Sequence, residues 1–249
     1  MTDHNPEEFK QPLFDHLIEL RKRLIYSLLA IMIGFAVSYA FAADIYAFLV
    51  KPLAQATQGE HRRLIYTGLT EAFLTYLKLA FWTGCFISFP VVAAQIWAFI
   101  APALYNNERR AFLPFLIASP IFFFLGAAMA YYVVFPMAWK FFLSFEVPAT
   151  IGMLPIQMEA RVSEYLSLSM NVIFSFGLAF QMPVVLVLLA RAGVVSAAKL
   201  TTFRRYAIVL IFAVAAIITP PDLVSMLSLA LPMMGLYELS IFGARWVGR

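Results

Sequence analysis

The chain has 249 residues, of which 63% are hydrophobic and 13% are charged, and its formal net charge is +4 at pH 7. A soluble domain carries about 25% charged and about 45–50% apolar residues, so this chain lacks the polar residues that would cover a water-facing surface of its size. The composition excludes an ordinary soluble enzyme and predicts an integral membrane protein. The single cysteine, Cys85, excludes an internal disulfide and a thiolate metal cluster.

The first segment predicts an amphipathic helix that precedes the membrane. Leu13, Leu17 and Leu20 recur at helical spacing, with charged residues off this stripe. We expect residues 13–23 to lie at the cytoplasmic interface and to continue into an uncleaved first span. Glu19 and Arg23 have i,i+4 spacing, so a plain ion pair on the helix surface is an alternative to a functional role for Glu19.

Six apolar stretches then predict membrane-spanning helices within a single membrane domain, residues 1–249. They cover residues 24–43, 73–100, 112–135, 165–190, 206–219 and 223–242. A helix needs about 20 residues to cross the hydrocarbon core, and the fifth stretch is shorter. It ends at Pro220-Pro221, which disfavour helix, so the fifth and sixth stretches predict a tight hairpin.

Prolines inside the spans predict bent helices, because proline removes a hydrogen bond and clashes with the preceding turn. Several such bends would favour a curved wall of helices, whereas isolated kinks without functional meaning are the alternative. The prolines are Pro90, Pro114, Pro120, Pro183 and Pro232.

The distribution of lysine and arginine predicts the orientation. Twelve of these residues fall on the side of the N terminus and five on the opposite side. Cytoplasmic loops carry the excess of positive charge, so both termini are expected in the cytoplasm.

Polar residues within the spans are candidates for function because their burial in lipid is costly. Gln181 lies deep in the fourth span and needs a partner for its amide, either inside the bundle or on another helix. Asp222 follows the two prolines and is expected to cap the last span.

Several function classes lack their motifs in this sequence. There is no Gly-x-x-x-x-Gly-Lys phosphate loop, no His-Glu-x-x-His zinc motif and no pair of membrane-embedded acids. We therefore expect no enzyme activity, cofactor, metal ion or nucleic-acid partner. A small-solute transporter or channel stays open as an alternative, for which Gln181 is the single candidate near the midplane.

Three segments resemble the TatC family, the multi-spanning receptor of the twin-arginine protein translocase. The resemblance runs from about residue 14 to 242. Its motifs are HLIELRKR at residues 16–23, QIWAFIAPALY at 95–105 with Glu108-Arg109-Arg110, and Thr219-Pro220-Pro221-Asp222.

This resemblance implies an all-α membrane protein with six helices in a cupped arrangement, in a bacterial-type cytoplasmic (inner) membrane. It also implies docking of twin-arginine signal peptides of folded cargo, recruitment of TatA- and TatB-type single-span proteins, self-association, and transport driven by the proton-motive force. The residues in the matching signal-recognition motifs are Glu19, Arg21, Gln95, Phe99, Glu108 and Arg110.

One position departs from the family pattern. The family often has a glutamate where this chain has Gln181, and an amide cannot ionise. A role in hydrogen bonding to a partner helix, shared with Pro183, stays possible. At the turn before the last span, Pro220, Pro221 and Asp222 match the family motif.

Paired carboxylates suit the implied ligand. A guanidinium group is planar, always charged and forked, and a carboxylate accepts such a fork through two parallel hydrogen bonds. Glu19 and Glu108 could each accept one arginine of a signal peptide, whereas lysine lacks the fork.

Overall fold

The computed structural model describes residues 11–57, 63–104, 109–148, 154–219 and 222–247, with the backbone alone for 11–13, 15, 101–104 and 109–112. These residues form helices and connecting loops without a named strand. The helices are α1 Gln11–Ala40, α2 Ala42–Ala56, α3 Glu71–Leu104, α4 Arg109–Met129, a π-helical turn Ala130–Val134, α5 Phe135–Leu143, α6 Val162–Ala179, α7 Met182–Arg191, α8 Ala197–Thr202, α9 Arg204–Ile218 and α10 Leu223–Val247.

Five stretches of the described helices are long and apolar enough to cross a membrane. These are His16–Ala40, Glu71–Ile100, Leu113–Leu143, Val162–Arg191 and Leu223–Val247. The fifth predicted span corresponds to α9, which has 15 residues, so a sixth crossing stays a prediction. Many large apolar side chains on these helices are exposed in the isolated chain, as expected where the surrounding solvent is lipid.

Helix α1 is one continuous helix and packs mainly against α3. Gly34 and Gly84 allow the two backbones to approach, because a Cβ atom on Gly84 would lie 2.5 Å from the amide nitrogen of Phe35. Ser88 donates a hydrogen bond of 2.7 Å from its hydroxyl to the carbonyl of Ala30. The contact resembles the small-residue interfaces by which helices associate in membranes.

The fourth predicted span is interrupted in the structure. Helix α6 ends at Ala179 and α7 begins at Met182, with Pro183 in its first turn. Proline is tolerated at that position because its missing N–H would have no partner inside the helix. The interruption places Gln181 between the two helices. The other span prolines lie within helices, and the bends predicted from them stay a prediction.

The core is held together across elements by side-chain hydrogen bonds to backbone carbonyls. Tyr131 and Tyr165 donate from their hydroxyl groups to the carbonyls of Phe48 and Leu49, both at 2.7 Å. At the other end of the molecule, Tyr237 donates to Leu200 at 2.8 Å. These bonds fix α2 on the π-helical turn and α6, and fix α8 on α10.

The segments that join α2 to α3 and α5 to α6 contact each other. Ile65 donates to the carbonyl of Ala160 at 3.1 Å, and Val162 donates to the carbonyl of Ile65 at 2.9 Å. The carboxylate of Glu71, whose side chain is 10% exposed, accepts from the Ser163 hydroxyl at 2.6 Å and from Arg161 at 3.2 Å. We call this group of residues (Ile65, Glu71, Arg161 and Ser163) the outer clasp. The clasp joins the starts of α3 and α6.

Candidate functional site

Glu19 lies on α1 in a polar cluster that reaches across to α3. Arg23 donates to the Glu19 carboxylate at 3.0 Å from one guanidinium nitrogen and to the amide oxygen of Gln95 at 3.2 Å from the other. The Glu19 and Arg23 side chains are 33% and 31% exposed. The i,i+4 ion pair expected from spacing is therefore present, and it is bound in turn to a residue 72 positions away in sequence.

An aromatic pair extends this cluster by about one helical turn, toward the start of α1 and the end of α3. The rings of His16 on α1 and Phe99 on α3 stack with centroids 4.3 Å apart. Arg21 is exposed on α1. The structure thus brings Glu19, Gln95 and Phe99 together with Arg23 and His16. We call these five residues the inner cluster.

The second predicted carboxylate, Glu108, lies outside the described residues. It follows Leu104, the last residue of α3, by four positions in the chain. Arg110 lies in the first turn of α4, where the backbone alone is described. The joint action of Glu19 and Glu108 therefore stays a prediction.

Part of the hydrogen-bonding capacity of the Gln181 side-chain amide is satisfied within the chain. Its amide nitrogen donates to the backbone carbonyl of Ser119 on α4 at 2.8 Å, and its amide oxygen accepts from the Ser119 hydroxyl at 2.6 Å. An amide group offers two donors and two acceptor positions, so one of each is still open to a further partner. The contact of Gln181 and Pro183 with a partner helix stays a prediction.

Asp222 caps α10, as predicted. Its carboxylate accepts a hydrogen bond of 2.7 Å from the backbone N–H of Ser225, which satisfies one of the free donors at the helix start. Pro220 and Pro221 lie outside the described residues.

Two features of the structure were not found by sequence reasoning. Ser119 is a small polar residue in an apolar span and is 2% exposed. Its burial cannot be predicted from the sequence, because it depends on the packing of α4 against α6. The outer clasp was also missed, although an acid at the start of a predicted span, Glu71, was a usable signal.

Comparison with known proteins decides the family. A family model described as Sec-independent protein translocase protein (TatC) matches residues 15–232. The chain belongs to the TatC family. TatC of Magnetococcus marinus is 49% identical over 242 residues, which cover 97% of this chain and 87% of that protein. TatC of Escherichia coli strain K12 is 41% identical over 97% of this chain and 92% of that protein.

Solved structures agree with this assignment. A crystal structure of the twin-arginine translocase receptor TatC superposes with a TM-score of 0.79 at 38% identity, covering 94% of this chain and 100% of that one. A second TatC crystal structure, in DDM, gives 0.78 at 39% identity, with 91% and 98% covered. The chain is therefore an all-helical membrane protein of the TatC family, a component of the twin-arginine protein translocase.

Proposed function

We propose that this chain is the core receptor of the twin-arginine translocation system. It binds the twin-arginine signal peptide of folded cargo at its cytoplasmic face through Glu19 and Glu108. Arg21, Gln95, Phe99 and Arg110 shape that surface. Export is driven by the proton-motive force.

The proximity of the two matching motifs supports this proposal, because Arg23 bonds both Glu19 on α1 and Gln95 on α3. The Glu19 carboxylate already accepts a guanidinium group at 3.0 Å from Arg23, so a cargo arginine has to replace that pair. Two unit charges about 4 Å apart attract by up to about 4 kcal/mol near a protein surface, but partial exposure and desolvation reduce this gain. One carboxylate alone is therefore a weak receptor, and a second one at Glu108 would supply the remaining affinity.

The test measures binding of a labelled twin-arginine peptide to the purified full chain carrying Glu19→Gln, Glu108→Gln or both. Each single change is expected to weaken binding and the double change to abolish it. Glu238→Gln is the matched control, because Glu238 pairs with Arg204 at 2.6 Å outside the inner cluster. A peptide with two lysines should bind weakly to every variant. Unchanged affinity in the double variant would reject the proposal.

Recruitment of TatA- and TatB-type single-span proteins is proposed at the interruption between α6 and α7. The open donor and acceptor of Gln181 can bond a polar group on a partner helix, and Pro183 lies beside it in the first turn of α7. The fifth and sixth spans are alternative contacts for the partner helices, the turn at residues 220–222 is proposed to have a structural or functional role, and self-association of the chain is expected in the assembled translocase.

Site-specific crosslinking tests this partner contact. Cysteines at Leu178 and Val185, both exposed, flank Gln181 and are expected to capture the partner helix in native membranes. Met32 on α1, also exposed, is the control position. Absence of any crosslink at residues 178 and 185, in resting and transporting membranes alike, would contradict the assignment.

We propose that the chain lies in the bacterial-type cytoplasmic membrane with both termini in the cytoplasm. The charge bias supports this orientation. Cysteine labelling checks it, because a cysteine at Arg21 should react only from the cytoplasmic side and one at Glu164 only from the outer side. Labelling of residue 21 only from outside and of residue 164 only from the cytoplasm would reverse the orientation, and labelling of both from the same side would contradict the six-span topology.

A further inference from the structure

A large apolar cavity lies at the end of the molecule opposite the inner cluster. Its volume is about 540 Å³, and it is bounded by α2, α3, α4 with the π-helical turn, and α6. Seven of its sixteen lining residues are aromatic, among them Trp82, Phe86, Phe124 and Phe174. A cavity of this size lies within the range of small-molecule binding sites.

The cavity is bordered by side chains that are exposed on helices long enough to cross a membrane. Three of its lining residues, Ile87, Phe124 and Tyr132, are also exposed on the surface of membrane-spanning segments. Trp82 precedes Gln95 of the inner cluster by 13 positions on the same helix, which is about 20 Å at 1.5 Å per residue. The cavity is therefore separated along α3 from the inner cluster, and its exposed rim residues offer an entry for an acyl chain from the side of the helices.

One charge is present at the cavity. Asp44, in the first turn of α2, is the only aspartate, glutamate, lysine, arginine or histidine among the lining residues, and it is exposed. The hydroxyl of Tyr131, which also lines the wall, already donates to the carbonyl of Phe48. Lys51 lies two turns farther along α2, about 10 Å away, and does not line the cavity. The charge at the mouth is therefore negative.

We propose that this cavity is a lipid-binding site that holds one acyl chain of a phospholipid with an amine headgroup, whose ammonium group pairs with Asp44. The apolar wall accepts the hydrocarbon chain, because a chain held inside the cavity makes more close van der Waals contacts with the wall than loosely packed bulk lipid does. The carboxylate accepts hydrogen bonds from an ammonium group. A headgroup with net negative charge is repelled by Asp44, so the site selects among lipids by charge.

The test uses native mass spectrometry of the purified, delipidated full chain after incubation with equal amounts of phosphatidylethanolamine and phosphatidylglycerol. The unchanged chain is expected to retain one phosphatidylethanolamine, several-fold in preference to phosphatidylglycerol. Ala128→Phe fills the cavity wall and should lose the retained lipid. Ala216→Phe, at an exposed position of α9, is the matched control and should keep it.

Asp44→Asn keeps the cavity and removes its charge, so it should retain lipid but lose the preference between headgroups. Circular dichroism and elution as a single species verify that each variant is folded. Equal lipid retention by Ala128→Phe and the unchanged chain would overturn the site, and an unchanged preference in Asp44→Asn would overturn the role of the carboxylate. A photo-crosslinker at residue 128 that captures a twin-arginine peptide in place of lipid would assign the cavity to cargo and reject the proposal.

Discussion

Arg23 donates a hydrogen bond to the Glu19 carboxylate, as a cargo arginine is proposed to do. The chain therefore contains its own competitor for the carboxylate. Because an i,i+4 ion pair on a helix contributes only about 0.3–0.5 kcal/mol, this internal competition is weak enough for a second guanidinium group to overcome. Gln95 orients Arg23 from the neighbouring helix and reduces its freedom to leave.

Removing the competitor should strengthen cargo binding. In Arg23→Gln, we expect the twin-arginine peptide to bind about twofold more tightly, because the energy of the lost pair corresponds to a factor of about two. Fluorescence anisotropy of a labelled peptide measures this change.

Lys22→Gln is the control for Arg23→Gln. It removes the same charge from an exposed neighbouring position. Equal effects of the two changes would attribute the result to net charge and not to release of Glu19. The gain should also vanish when Glu19→Gln is present.

Ser119 is expected to stabilise the chain through Gln181. In Ser119→Ala, the amide oxygen of Gln181 loses the hydroxyl that donates to it at 2.6 Å. Hydrogen bonds between membrane helices contribute about 0.6 kcal/mol on average and up to about 1.7 kcal/mol. The free energy of unfolding should therefore decrease by an amount in that range. Reversible unfolding in mixed micelles measures it.

Ser228→Ala serves as the control, since the Ser228 hydroxyl donates only to the Val224 carbonyl of its own helix. A loss of stability in Ser228→Ala as large as in Ser119→Ala would contradict an interhelical role for Ser119.

At the scale of the helix, the contact between α1 and α3 depends on two glycines. Gly84→Ala should separate the helices, because the added Cβ would meet the backbone of Phe35 at 2.5 Å. We expect lower thermal stability and a weaker crosslink between cysteines on α1 and α3.

Gly235→Ala in α10 is the matched control. No atom lies within 4 Å of the Cβ that it would add, so the change should stabilise the helix by up to about 1 kcal/mol through propensity alone. A similar destabilisation of both variants would show that steric contact at Gly84 is not the cause.

Long apolar runs made the spanning helices predictable from sequence. The run at residues 73–100 lies inside α3, and the run at 223–242 lies inside α10, because a helix buried in lipid must satisfy its backbone internally. The interruption at residues 180 and 181 was not predicted, since Pro183 alone is compatible with a kink or a break. In the structure the break is accompanied by the hydrogen bonds between Gln181 and Ser119, which are 62 positions apart in sequence.

The candidate site was predictable to a similar degree. Glu19, Gln95 and Phe99 were identified through motifs that match the TatC family, whereas the stacking of His16 on Phe99 follows only from the placement of α1 beside α3. Pairings between distant loops, such as Ile65 with Ala160, leave no trace in local periodicity. Composition therefore determines the elements, and the contacts between them need the structure.

At the scale of the whole molecule, the outer clasp joins two halves of the chain. Glu71→Gln removes the negative charge that receives Arg161 and the Ser163 hydroxyl. We expect hydrogen exchange at the backbone amides of Ile65 and Val162 to become several-fold faster, because local opening of the loop pair costs less free energy.

Glu164→Gln is the control for the clasp. Glu164 also contacts Arg161, at 3.4 Å, but its side chain is 69% exposed, and exposed ion pairs contribute little. Its exchange rates should match those of the unchanged chain. Equal protection in Glu71→Gln would mean that the backbone hydrogen bonds alone hold the loops.

Helix α9 has 15 residues, which corresponds to a length of about 22 Å, whereas the hydrocarbon core is about 30 Å thick. A bilayer that follows this short helix must become thinner beside it or leave part of the chain unmatched, at a cost of a fraction of a kcal/mol per Å. Hydrophobic mismatch at one edge would thus make this protein sensitive to membrane thickness. Lipids with shorter chains should gather at that edge.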